Sequence, residues 1–281
     1  MKILNYYIQQ FNKSRQLKDW FSKFSVDIWD RLSQQSKFGE TSVTDTLISD
    51  LERLIKNEFP RLPFRLFHAK NEPKNGNDLE IVLPFGNDKY VIFPCQAKRI
   101  YSTEVYEQMR HHGQIEKLIR YAQSVGGCPI YLLYNFINDK EYIKKRYAKQ
   151  VKNSKELGCT IISAEYILEK FSDKKGAIEL TKNPNFKDLH LPAKPLSIIT
   201  DSILPNFLKS LKKDWELNSQ FEPKYYSLKE LQNSNMWIEI NIKTTRKMSP
   251  NIFKNILDIE DYAQPFEPAF RILLTEEPIL L

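Results

Sequence analysis

Two apolar runs, Leu79–Leu83 and Tyr90–Cys95, flank the stretch "PFGNDK", and polar residues punctuate them at Asp78, Glu80, Gln96 and Lys98. Gly, Asn and Asp supply turn chemistry between the runs. Paired as a hairpin with residue i opposite residue 174 − i, Leu79, Ile81 and Leu83 meet Cys95, Phe93 and Val91. One side of the hairpin is then apolar throughout. The other sets Asp78 beside Gln96 and Glu80 beside Pro94, with Lys98 just beyond the first strand. A slip of one residue would mix the two sides, so the pattern itself specifies the register. Pro94 cannot donate to a ladder, which predicts an edge position or a bulge there. Charged groups in strand-like sequence cost stability unless they are solvated, paired or holding a metal. A solvent-facing strand surface and a shared site are therefore both open readings of the polar side.

The surrounding chain sets this hairpin among alternating elements. Spacing from Val26 to Leu32 is helical, within an N-terminal helical segment ending near "SKFGE". "TSVTDTLISDLERLIKNEF" is a second helix, its apolar stripe Leu47, Ile48, Leu51, Leu54 and Ile55. Ser42 with Asp45 predicts a capping box at its start. "RLPFRLFHAKNEPKNG" reads as an extended segment and a turn. After the hairpin, Thr103 to Val125 reads as a helix with Val105, Met109, His112, Ile115, Ile119 and Ala122 on one face. "GGCPIYLLYNF" is an apolar strand buried on both sides. A basic, partly helical stretch follows, then "GCTIIS" as strand and "AEYILEKF" as helix. The alternation predicts an α/β fold with a mixed β-sheet flanked by helices. Residues 1–180 are read as one domain and residues 181–281 as a smaller C-terminal α+β extension, with a helix around Leu196 to Leu217 and a strand in "MWIEINIKT".

Composition narrows the function classes. The chain has 281 residues, 41% hydrophobic, and a net charge of +7, a basic excess compatible with a polyanionic partner. Three scattered cysteines argue against a disulfide framework or a zinc cluster, and Cys95 and Cys159 read as small buried hydrophobes. The start lacks the apolar core of a signal peptide and no run reaches membrane-spanning length, so no membrane association and a cytoplasmic location are expected. His111 and His112 do not share a helix face and have no zinc-ligand spacing around them. No Walker loop, nucleophile elbow or dinucleotide fingerprint appears.

The pattern "GNDLE", then "QAK" on the following strand, resembles the PD-(D/E)XK nuclease superfamily. Asp78 matches its acidic position, Gln96 the glutamine variant of the second position, and Lys98 the lysine. Together "FGETSVTDTL", "NGNDLEI", "QAKRI" and "PIYLLYNF" look like a bacterial, defence-associated branch, over roughly Lys37 to Ile167. Asn77 stands where the family usually has proline. The resemblance implies a restriction-endonuclease-like core: a helix, a mixed sheet of about four core strands and a flanking helix. It implies a Mg²⁺-dependent endonuclease, with Mn²⁺ as a substitute; DNA is expected ahead of RNA as its substrate, and the sequence leaves the two open. Glu40 stands where a preceding helix often adds a glutamate to the metal site.

On that resemblance Asp78 is the central metal ligand and Gln96 offers a neutral amide oxygen. Glu40 or Glu80 completes the set, Glu40 slightly ahead. Lys98 positions the attacking water or stabilises charge in the transition state. Gln114, on the helix after the hairpin, is expected to present its amide to a phosphate. Lys144, Lys145, Arg146 and Lys149 lie in a basic stretch interleaved with Tyr142 and Tyr147, readable as backbone contacts or, more simply, as a solvated helix face. Two other classes stay open: an inactive nucleic-acid-binding module, and an interaction subunit of a defence complex. A homo-oligomer is also compatible.

Overall fold

A computed structural model describes residues 2–34, 39–57, 64–69, 78–85, 87–107, 109–110, 113–138, 153–173, 180–202, 207–215, 223–232, 237–240 and 268–274. Within these it leaves aside the side chains of residues 2–14, 40–41, 55–57, 78, 208, 238 and 240. The main elements are α1 (Lys2–Gln34), α2 (Glu40–Asn57), β1 (Phe64–Ala69), β2 (Asp78–Pro84), β3 (Tyr90–Arg99), α3 (Gln114–Ser124) and β4 (Ile130–Tyr134). They continue with β5 (Cys159–Ser163), α4 (Ala164–Phe171), β6 (Lys194–Pro195), β7 (Trp237–Ile240) and β8 (Phe270–Leu274). One mixed sheet of eight strands holds them in the order β6-β5-β4-β3-β2-β8-β1-β7.

The hairpin forms in the register its pattern specifies, from Asp78 opposite Gln96 to Pro84 opposite Tyr90. Asn87 and Asp88 take left-handed backbone conformations at the turn, φ 53° and 55°, which these residue types tolerate better than most. Leu79, Ile81, Leu83, Val91, Phe93 and Cys95 enter the main core with Phe21, Phe24 and Ile28 of α1 and Leu47, Ile48 and Leu51 of α2. The opposite side is not a solvated surface. Val82, Tyr90 and Ile92 pack there with Phe67, Leu231 and Leu273, and β3 is buried along its whole length.

Pro94 sits in a central strand without a bulge, paired with Glu80. Alternate residues of a strand direct their backbone groups to the same edge, and the Ile92 carbonyl on that edge accepts from Cys128 N–H at 2.9 Å. The N–H that Pro94 lacks would thus face the segment leading into β4, so β2 loses no bond. Gly127 passes close by: a Cβ there would lie 2.6 Å from the Ile92 oxygen and 3.0 Å from Pro94 Cδ.

Other expectations divide by how local their signals are. β4 is buried throughout, and β5 followed by α4 matches "GCTIIS" and "AEYILEKF", with the Ser163 hydroxyl accepting from the Glu165 and Tyr166 amides. Helix α2 begins at Glu40, so Ser42 lies inside its first turn and forms no capping box; Val43 N–H reaches the Gly39 carbonyl at 3.2 Å instead. The helix expected from Thr103 is shorter. Val105 forms a bridge with Asn185 and Tyr106 N–H donates to Pro184, and α3 starts only after Gly113, whose φ of 63° breaks helical continuity. Its buried residues are Ile115, Leu118 and Ala122. A 3₁₀ turn, Leu196–Asp201, and a helix, Phe207–Asp214, occupy the stretch expected as one helix.

β7 and β8, from the stretch read as a C-terminal extension, join the same sheet as the earlier strands. β7 lies beside β1, and β8 is inserted between β1 and β2, parallel to β2 and antiparallel to β1. The last strand among the described residues therefore lies inside the sheet and not at its edge. Cys95, Cys128 and Cys159 are buried. Among the described residues no helix is long and apolar enough to cross a membrane.

Burial raises the Asp45 carboxyl of α2 to about 6. A carboxyl raised in the fold stabilises it fully while protonated in both states, and that contribution is lost as pH rises through the folded value. Asp45→Asn is therefore expected to flatten the dependence of melting temperature on pH between about 4 and 6. Equal slopes in variant and wild type over that interval would contradict this.

Candidate metal and nucleic-acid site

Strand alternation sends Gln96 and Lys98 of β3 to the side of the sheet opposite Val91, Phe93 and Cys95. The parallel neighbour β4 adds Tyr131 beside Gln96 and Leu133 beside Lys98. Asp78 opens β2 at the register position facing Gln96; its side chain is outside the described residues, as is that of Glu40, the first residue of α2. Gln96 is 8% exposed and Lys98 3%. Helix α3 packs against β3.

β3 and β4 are parallel and joined through α3, so α3 runs back across the sheet. Its first residue, Gln114, stands at the end of β3 that carries Lys98. Its last turns reach β2, where Tyr121 donates its hydroxyl to Glu80 Oε1 at 2.5 Å. Burial first, and then the adjacent Glu80 carboxylate, pushes the Tyr121 hydroxyl well above its ordinary range. It stays a donor.

The amide oxygens of Gln96 and Gln114 are both buried and find no hydrogen-bond partner among the described residues. An unmet buried acceptor costs about 1–3 kcal/mol, so such atoms call for a donor or a cation to complete them. Carbonyl oxygens are hard ligands suited to Mg²⁺. This chemistry fits the cation that the resemblance implies.

Glu80 does not belong to that set. It is 0% exposed, its Oε2 accepts from Arg271 Nε at 2.7 Å and Nη2 at 2.6 Å, and its Oε1 accepts from Tyr121. With one oxygen in a buried ion pair and the other accepting from Tyr121, Glu80 has neither oxygen left for the third metal position that sequence spacing left open to it. The guanidinium of Arg271 lies 4.4 Å from the centre of the Trp237 ring. Among the described residues no group of three His, Cys, Asp or Glu side chains could share a metal. Lys144, Lys145, Arg146 and Lys149 lie outside the described residues, as do His111 and His112.

Sequence reasoning missed Tyr121, Tyr131 and Arg271. For Arg271 a signal existed. A lone arginine in "AFRILL" is costly in a buried strand unless a carboxylate meets it, and Glu80 was the apolar run's own unexplained carboxylate.

Over residues 17–274 the chain matches a family described as a family of unknown function (DUF6615). No curated protein and no solved structure matches the chain.

Proposed function

The chain belongs to the DUF6615 family of unknown function, and we propose that it is a Mg²⁺-dependent nuclease with a restriction-endonuclease-like core, acting on DNA. The observation that carries this reading is the buried amide oxygen of Gln96, without a hydrogen-bond partner among the described residues, on a side chain that shares a strand side with Lys98 and stands opposite Asp78 in the ladder. The order α2, β1, β2, β3, α3, β4 supports the same core: a helix, three strands, a crossover helix and a strand parallel to the third.

In this reading Asp78, Gln96 and Glu40 hold the cation. Bound there, Mg²⁺ supplies Lewis-acid polarisation of the phosphate and lowers the pKa of water. Lys98, held in a dry environment, orients the nucleophile and offsets the charge that develops on the phosphoryl oxygens. Gln114, at the start of α3, offers its amide toward the phosphate backbone. The basic stretch with Lys144, Lys145, Arg146 and Lys149 contributes sequence-independent attraction to the polyanion.

Gln96 brings no charge to the site, so Gln96→Glu tests its role. Calorimetry should find Mg²⁺ or Mn²⁺ bound more tightly by on the order of tenfold, about 1.4 kcal/mol. An unchanged affinity would remove Gln96 from the metal's ligands.

A further inference from the structure

Glu80 joins three elements through one carboxylate: it stands on β2 two residues from Asp78, it accepts from Tyr121 of α3, and it pairs with Arg271 of β8. The three side chains meet on the side of the sheet that carries Gln96 and Lys98. Arg271 is 5% exposed, and Glu80 and Arg271 are direct neighbours in the parallel register of β2 and β8. The guanidinium is further engaged by the Leu231 carbonyl at 3.5 Å and the Trp237 ring.

A buried ion pair of this kind is weak evidence for stability, because desolvating two charges offsets most of their attraction. Its effect is on geometry. The neighbours of Arg271 in β8 are apolar: Ile272 enters the main core and Leu273 the smaller one. A one-residue slip of β8 would drive the guanidinium into the main core and leave Glu80 buried without its cation. The pair therefore fixes β8 against β2. The Tyr121 bond fixes α3, and with it Gln114, against the same strand.

We propose that Glu80, Arg271 and Tyr121 are positioning residues for the candidate metal site: they hold the start of β2, which carries Asp78, and the start of α3, which carries Gln114, at a fixed spacing. This rests on the nuclease reading for the identity of the site. It also makes the site depend on a strand near the C-terminal end of the chain.

The test is Mn²⁺ titration calorimetry on the full chain, with thermal unfolding and DNA cleavage measured alongside. Glu80→Leu combined with Arg271→Met removes both charges and should still fold, since apolar replacement of a buried pair is often neutral. Its Kd for Mn²⁺ should rise about tenfold or more, as for residues that orient metal ligands. Tyr121→Phe should fold as wild type and raise the Kd in the same direction by less. A folded double variant with the wild-type Kd would overturn the proposal. If the double variant does not fold, an unchanged Kd in Tyr121→Phe overturns it equally. Wild-type protein that binds Mn²⁺ without cleaving DNA would sink the nuclease reading, while the Kd comparison would still decide the positioning role. Wild-type protein that binds no Mn²⁺ would end both.

Discussion

Gly158→Ala is expected to destabilise the protein by at least about 3 kcal/mol, at the upper end of single-substitution effects. Gly158 ends the 3₁₀ turn Ser154–Gly158 and lies directly against α1. A Cβ at this position would stand 2.0 Å from the Ser25 carbonyl oxygen and 3.0 Å from Trp29 Cβ. Backbone atoms on both sides must move to admit it, and neither side is free to do so. Ser25, Ile28 and Trp29 are buried on α1. The turn is tied to the end of β4 by Asn135, whose N–H donates to the Gly158 carbonyl at 2.8 Å and whose side-chain amide donates to the Leu157 carbonyl at 2.7 Å and the Thr160 hydroxyl at 2.9 Å. Tyr106 donates to the Asn135 side-chain oxygen at 2.6 Å, so the buried amide is satisfied on both ends. Urea unfolding measures the effect. A midpoint unchanged by the extra methyl group would contradict the packing of α1 on this turn.

Asp78→Ala and Lys98→Ala are each expected to lower DNA cleavage by about a thousandfold or more. Under the proposed mechanism Asp78 is the carboxylate shared most closely with the cation, and Lys98 is the cationic side chain on the same side of the ladder. Lys98 is buried, so its truncation also leaves a void. Lys98→Met keeps the stem and removes only the charge, which separates chemistry from packing. Both lysine variants should lose cleavage, and the alanine variant should lose more stability than the methionine variant. Asp78→Ala should lose Mn²⁺ binding as well, whereas the lysine variants keep it.

The part of the fold that local pattern can carry was legible. The alternation of Leu79 to Leu83 with Val91 to Cys95, closed by Asn87 and Asp88, specifies one hairpin register, and that register forms. The unbroken apolar run at β4 and the strand–helix pair at β5 and α4 are equally local. What escaped depends on partners far away in sequence. Glu80 is 191 residues from Arg271, so no window around the hairpin distinguishes a metal ligand from half of a buried ion pair. The covering of the polar side of the hairpin has the same origin, because α3, Leu231 and β8 arrive from separate parts of the chain. Helix α3 was overextended because the residues from Val105 to Met109 have helical spacing, yet Val105 pairs with Asn185, 80 positions later. At the candidate site the shared side of Gln96 and Lys98 follows from strand parity alone. Their burial and the unmet amide oxygens of Gln96 and Gln114 required the fold.

The central claim is hydrolysis of nucleic acid by a divalent-metal site. Purified wild-type protein incubated with supercoiled plasmid, single-stranded DNA and RNA, in Mg²⁺ or in EDTA, tests it most directly, with Asp78→Ala as the control. The proposed activity predicts cleavage of DNA in Mg²⁺ that disappears in EDTA and in Asp78→Ala. Intact DNA and RNA in every Mg²⁺ reaction, or cleavage that Asp78→Ala retains at the wild-type rate, would contradict it.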